Sequence, residues 1–239
     1  MEAKAYWVAF NYVKGIGAVR LQTLLDAFNG NLGEAWQAPA DRLKTCGLNA
    51  KIIENILRVR NQLDLDRIWQ RLQADGINVL TWEDEGYPAL LREIDQPPPV
   101  LYVKGELLPE DDLAVAIVGT RRVSVYGRQT TEDLAGELAR AQVTIVSGLA
   151  RGTDATAHRS ALRAGGRTIA VLGSGIDRIY PPENRALAED IAESGAIITD
   201  YPPGTATEST NFPPRNRIIS GLSRCVIVIE AGETSGALI

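Results

Sequence analysis

Of five apolar runs between Leu113 and Glu230, four end in small, glycyl or arginyl turns suited to holding a negative charge, and the fifth ends at an acid and two prolines. The turns that follow are Gly119-Thr120-Arg121-Arg122, Ser147-Gly148-Leu149-Ala150-Arg151-Gly152, Gly173-Ser174-Gly175, Asp200-Tyr201-Pro202-Pro203 and Glu230-Ala231-Gly232. Glycine lets backbone amides approach a ligand, and arginine offers a planar fork that fits phosphate. If the runs are parallel strands, the turns share one rim, where an open α/β sheet binds its ligand and helix N-termini present unpaired N–H groups. Gly119, Arg121, Arg122, Ser147, Gly148, Arg151 and Gly173 are the anion-binding candidates on that rim, with Ser147 read as an exposed hydroxyl donor. Asn211-Phe212-Pro213-Pro214-Arg215-Asn216-Arg217 adds a second kind of chemistry. Pro214 suits a first helical turn, which sets Arg215 and Arg217 near a helix N-terminus beside Phe212, a phosphate clamp next to a base-stacking ring. Two roles stay open for Arg215 and Asn216, ligand contact or knitting the rim together; Phe212 and Arg217 are read as ligand contacts.

Other chemistries lack their residues. Gly173-Ser174-Gly175 has Arg178 where a dinucleotide fingerprint needs its third glycine, and no lysine follows Lys104, which excludes a phosphate-loop ATPase from the second half. The single histidine, His158, sits four residues after Asp154 in an amphipathic stretch. That spacing allows a hydrogen bond between them, but His158 reads as structural and Asp154 as a capping or first-turn residue. Cys46 and Cys225 are far apart, and Cys225 opens an apolar run where a free buried thiol is expected. Neither a disulfide, a metal nor a cofactor is inferred.

The elements that must position these residues follow from periodicity. Residues 1–75 read as helices only, broken by the turns Lys14-Gly15-Ile16-Gly17 and Cys46-Gly47-Leu48-Asn49. The first turn resembles a helix-hairpin-helix motif, so Lys14, Gly15, Gly17 and Arg20 form a secondary candidate for DNA contact, against the alternative of a packing or protein-contact module. From Ile77 the period becomes strand-like, and residues 76–239 alternate strands with helices, near-continuous apolar runs such as Ala114-Val115-Ala116-Ile117-Val118 marking strands buried on both faces. The fold class is α/β: a mostly parallel sheet with helices on both faces, preceded by a small all-α module.

A net charge of −5 argues against a polyanionic partner until it is located. Residues 1–112 carry 12 basic and 17 acidic side chains, and residues 113–239 carry 13 of each, every base there being arginine. A local positive rim on a neutral body steers an anion regardless of total charge. The arginines equally allow a reading as compositional bias. No apolar run is long enough to span a bilayer and no signal-peptide pattern opens the chain, so a cytoplasmic protein without membrane partners is expected.

Taken in order, Gly119-Thr120-Arg121-Arg122 with Tyr126-Gly127, Ser147 to Asp154 with Ala157-His158, Gly165 to Gly173, Tyr180-Pro181, Phe212 to Ile219, and Glu230-Ala231 with Ser235-Gly236 resemble the DNA-processing protein A family, also called DprA or Smf. The resemblance covers most of residues 77–239. It implies an extended Rossmann-like domain and a variable helix-hairpin-helix or SAM-like accessory module. It also implies single-stranded DNA bound in a basic pocket on the rim, self-association, and protection of incoming strands and their delivery to the RecA recombinase in natural transformation and recombination. Thr153 and Asp200 depart mildly from the family pattern, and the stop at Ile239, where a helix should begin, suggests a fragment whose own self-association is doubtful. The resulting expectation is a binding protein and not an enzyme. A nucleotide-hydrolysing enzyme of a related Rossmann-like (lysine-decarboxylase-like) family, with Glu230 as catalytic acid, is the alternative. A third view takes the acidic helices as a protein-docking face.

Overall fold

A computed structural model describes residues 2–233 and 235–238. The chain divides into two compact units, one running to Asp84 and taking in Asp95–Leu101, the other comprising Glu85–Ile94 and everything from Tyr102.

The first unit opens with helices α1 (Ala3–Asn11), α2 (Ala18–Ala27), α3 (Leu32–Gln37), α4 (Ala40–Thr45), α5 (Ala50–Gln62) and α6 (Leu65–Ala74), followed by strand β1 (Ile77–Thr81). Asn31, Asn49 and Asp64 cap α3, α5 and α6 by accepting from the amides of Glu34, Ile52 and Arg67. Trp7, Phe10, Leu24, Trp36, Leu43 and Ile56 form its buried interior, with Phe10 and Trp36 edge to face at 5.1 Å. Both helical hairpins expected from the turns are present. They also meet: the φ of +97° at Gly15 and its missing side chain make room for Ile52 of the second hairpin, and Asn55 Nδ2 donates to the Lys14 carbonyl at 2.9 Å.

The remaining elements are α7 (Ala89–Arg92), β2 (Val100–Gly105), β3 (Ala114–Gly119), α8 (Val125–Arg140), β4 (Thr144–Ser147), α9 (Thr153–Arg163), β5 (Thr168–Val171), α10 (Arg185–Ser194), β6 (Ala196–Thr199), α11 (Phe212–Gly221) and β7 (Cys225–Ile229). Among the described residues the strands form one seven-stranded sheet in the order β1-β2-β6-β5-β4-β3-β7. Strands β3 to β7 run parallel, and β2 is antiparallel to β6. From β3 to β6 the chain steps one way across the sheet, so right-handed crossovers set α8, α9 and α10 on one face; the return from β6 to β7 reverses direction and sets α11 on the other. Between the first face and the sheet lies a core of Val115, Ile117, Ala135, Ala139, Ile145, Ala157, Ala161 and Ile229, whose alanines let α8 and α9 pack closely.

Strands β4, β5 and β6 are buried throughout, as their unbroken apolar runs require. Strand β7 departs from that expectation. It is the edge strand, its burial is confined largely to Ile229, and Cys225 is exposed where a buried thiol was expected. The edge of the sheet away from the strand-end turns is stitched by Asp111, which accepts from Arg167 Nε at 2.9 Å and Nη2 at 2.8 Å and from Thr144 Oγ1 at 2.8 Å. Arg167 reaches on to the carbonyls of Glu106 and Ser194.

Candidate nucleic-acid interface

Because β3 to β7 are parallel, the five predicted turns do share one rim. The chain reverses direction across the sheet between β3 and β7, the topological switch point where open α/β sheets leave a crevice. A cleft of about 1020 Å³ opens there, lined by Gly119, Thr120, Arg121, Arg122, Ala150, Asp154, Phe212, Arg215, Asn216 and Arg217, by Val226 and Val228 of β7, and by Ser235 to Leu238. Seven of the eleven rim candidates line it. Ser147, Gly148, Arg151 and Gly173 lie outside its wall.

The glycines act mainly as clearances. A Cβ on Gly119 would collide with the Ile229 carbonyl, one on Gly148 would lie 2.6 Å from the Arg215 guanidinium, and one on Gly173 would lie 3.0 Å from the Phe212 ring. Ser147 is a correction: it is fully buried and its hydroxyl donates to the Ile117 carbonyl at 2.6 Å, so it is not available to a ligand. The amide of Gly148 is likewise taken. Asp154, expected to cap its own helix, reaches back and accepts from Gly148 N and Ala150 N, both at 3.2 Å, and so fixes the turn after β4.

Buried charge holds this turn from below. Arg215 is 5% exposed and donates through Nη1 to the carbonyls of Gly148, at 2.9 Å, and Val171, which ties the ends of β4 and β5 together. Burial pushes the Asp154 carboxyl above its ordinary value, with Arg215 pulling it back, and the same burial pushes Arg215 down against the pull of Asp154. Of the two roles open for Arg215, the buried position gives it the knitting one. Asn216 also knits, its Nδ2 donating to the Gly236 carbonyl at 2.9 Å.

His158 does not bond to Asp154. Its Nδ1 lies 2.7 Å from Thr168 Oγ1, and because that hydroxyl donates to the Ile145 carbonyl, Nδ1 carries the proton. Nε2 is left buried without a partner, and burial, followed by Arg159 and Arg215, lowers its pKa to about 3. A base that is neutral when folded but protonates below about 6.5 when unfolded loses stability as pH falls from 6.5 toward 3, at no more than about 1.4 kcal/mol per pH unit. Urea midpoints at pH 7, 6 and 5 should therefore fall steeply for the wild type and more gently for His158→Gln; parallel slopes would contradict this reading. Asp154 acts with the opposite sign but is common to both proteins.

The accessible cations differ in their partners. The Arg121 guanidinium lies 5.2 Å above the Phe212 ring centre, and both Arg121 and Arg122 are exposed at the cleft mouth. Phe212 is half-buried, with the Tyr180 ring centre 6.2 Å away and the Arg215 guanidinium 5.7 Å away. Arg217 Nη2 donates to Asp200 Oδ2 at 2.7 Å, and Arg151 pairs with Glu183. Tyr180, 41% exposed, is the aromatic neighbour that sequence reasoning quoted without giving it a role. At the secondary candidate in the first unit, Arg20 Nη1 turns back to the Gly15 carbonyl at 2.7 Å, while Gly17 starts α2.

Glu230 is occupied as well. Its carboxylate accepts from the backbone amide of Ser124 at 2.8 Å and from the Ser124 hydroxyl, which lowers its pKa, and it sits against Gly127 in the first turn of α8. An acid held ionised at a helix N-terminus is poorly placed to donate a proton. Among the described residues no group of histidine, cysteine, aspartate or glutamate could hold a metal ion, and no helix is long and apolar enough to cross a membrane.

Comparison with known proteins accords with this geometry. The chain is 47% identical to protein Smf of Synechocystis over 99% of its own length and 60% of that protein's. It is 42% identical to DNA processing protein DprA of Bacillus subtilis over 73% of its length and 59% of that protein's. It thus spans about three-fifths of the length of these relatives. The crystal structure of DprA from Streptococcus pneumoniae matches all of the chain and 82% of that structure at a TM-score of 0.78 and 32% identity. DprA from Helicobacter pylori, whose structure was solved for its single-stranded DNA binding mode, matches 67% of the chain and 73% of that structure at a TM-score of 0.61 and 36% identity. The profile of DNA recombination-mediator protein A matches residues 78–239, and the chain belongs to that family.

Proposed function

We propose that the chain binds single-stranded DNA at the rim of its sheet without catalysing a reaction. In the whole protein, that binding protects incoming strands and hands them to the RecA recombinase in transformation and recombination, in the cytoplasm, by a self-associating assembly. The observation that carries the reading is the exposed Arg121 guanidinium stacked over Phe212 at the mouth of the cleft. Cation and ring together serve the two invariant parts of a strand, a phosphate and a base face, whatever the sequence. Arg122 adds charge beside them, while Arg215 and Asn216 hold the floor in place. The single-stranded DNA binding of the Helicobacter pylori relative supports the choice of ligand. The commitment of Glu230 to α8 weighs against the nucleotide-hydrolysing alternative.

Arg121→Ala is expected to weaken oligothymidine binding about tenfold at fixed salt, the loss of one charge-assisted contact. The slope of log K against log salt should become shallower by about 0.7. Unchanged affinity and slope would refute the assignment. The turn at Lys14, Gly15, Gly17 and Arg20 is kept as a secondary DNA contact in this reading, and Lys14→Glu should then weaken the same titration; no effect would remove it from the site.

A further inference from the structure

We propose that Glu183 sets the affinity of the rim for a nucleic-acid strand by occupying Arg151 until a phosphate displaces it. The inference rests on the single-stranded DNA reading above and assigns a role to an acid that the reading does not use.

Arg151 closes the turn after β4, next to Ala150, which lines the cleft. A strand leaving the cleft over Ala150 meets Arg151 next. The guanidinium is paired with the Glu183 carboxylate, and the two side chains are 60% and 49% exposed. An ion pair this open to water is weak and is readily exchanged for another anion.

The pair is also unnecessary for positioning the turn. Asn184 Nδ2 donates to the Leu149 carbonyl at 2.9 Å, and Asp154 accepts from the amides of Gly148 and Ala150. Gly152, at φ +75°, fits against the backbone of Thr120 and Arg121, where a side chain would collide. Every residue from Gly148 to Gly152 except Arg151 is thus fixed by contacts that do not involve Glu183. Its carboxylate serves the first turn of the short helix Pro182–Asn184, and beyond that it acts on the charge that Arg151 presents. When a phosphate takes Arg151, the released carboxylate remains nearby, repels the strand and draws a cation back from solution. The exchange lowers affinity and removes much of the salt dependence that Arg151 would otherwise contribute.

Glu183→Gln keeps the shape of the side chain and removes its charge. Oligothymidine should bind this variant about two- to fivefold more tightly than wild type near 50 mM salt, with a salt slope steeper by about 0.7. Thermal midpoints of the two proteins should agree, because the turn is held elsewhere. In an Arg151→Ala background the same substitution should give no gain. Equal or weaker binding by Glu183→Gln, or a gain that persists without Arg151, would overturn the proposal while leaving the DNA reading intact. Failure of the wild type itself to bind would overturn both.

Discussion

Phe212→Ala is expected to weaken oligothymidine binding by about 5- to 150-fold, because stacking one base on an aromatic ring contributes about 1–3 kcal/mol. The ring is half-buried at the start of α11, against Gly173 and beneath Arg121. The Arg121 guanidinium occupies the place above the ring, so under the proposed function an incoming base and the cation would exchange positions, leaving the cation free to move onto a phosphate. Loss of the ring therefore removes both the stacking surface and the perch that preorganises Arg121. Phe212→Leu separates this from simple loss of apolar bulk, since leucine fills space without a π-face. It should bind nearly as poorly as the alanine variant while melting closer to wild type. If the leucine variant retained full affinity, stacking would not be the source of binding, and the ring would count as packing only.

Asp154→Ala should lower stability by about 3 kcal/mol, the cost of leaving a buried charge without its counter-charge and two amides without an acceptor. For a chain of this size that corresponds to a fall of about 6–12 °C in the thermal midpoint. Three groups lose their partner at once: the amides of Gly148 and Ala150, and the electrostatic support of Arg215, which is buried and fixes the ends of β4 and β5. Asp154→Asn keeps an acceptor oxygen and should cost less; the difference between the two variants measures the lost acceptor, and the difference between Asp154→Asn and wild type measures the charge. A midpoint for Asp154→Ala within a degree or two of wild type would mean that water replaces the carboxylate and that the turn is not held from below.

Much of the fold is legible in the residues. The runs at 196–199 and 225–229 coincide with β6 and β7 end to end, because unbroken apolar stretches bounded by turn residues have few other ways to fold. Ser124 stands one residue before α8 with its hydroxyl accepting from Gly127 N, so the start of that helix is set by a neighbouring residue. The shared rim of the strand-end turns is legible because strand ends and glycine turns recur in order.

What the sequence does not show is which partners the fold brings to these residues. Ser147 looks exposed until the Ile117 carbonyl, 30 positions earlier, claims its hydroxyl. Glu230 resembles a catalytic acid until Ser124, 106 positions away, binds it. His158 is structural as read, but its Nδ1 donates to Thr168 Oγ1 on β5 in place of Asp154 within helical reach. Cys225 lies in an apolar run but on an edge strand, and edge position is a property of strand order that no single run encodes.

The carboxylate of Asp111 gives this architecture an interchangeable working end. Through Thr144 and Arg167 it clasps the starts of β4 and β5, and Arg167 extends the clasp to the carbonyl beyond β2 and to the one preceding β6. One acid thus indexes four strands from the side opposite the recognition loops. Turns transplanted from a relative should inherit that alignment unaltered, which makes the sheet a chassis on which the rim can be re-engineered one turn at a time.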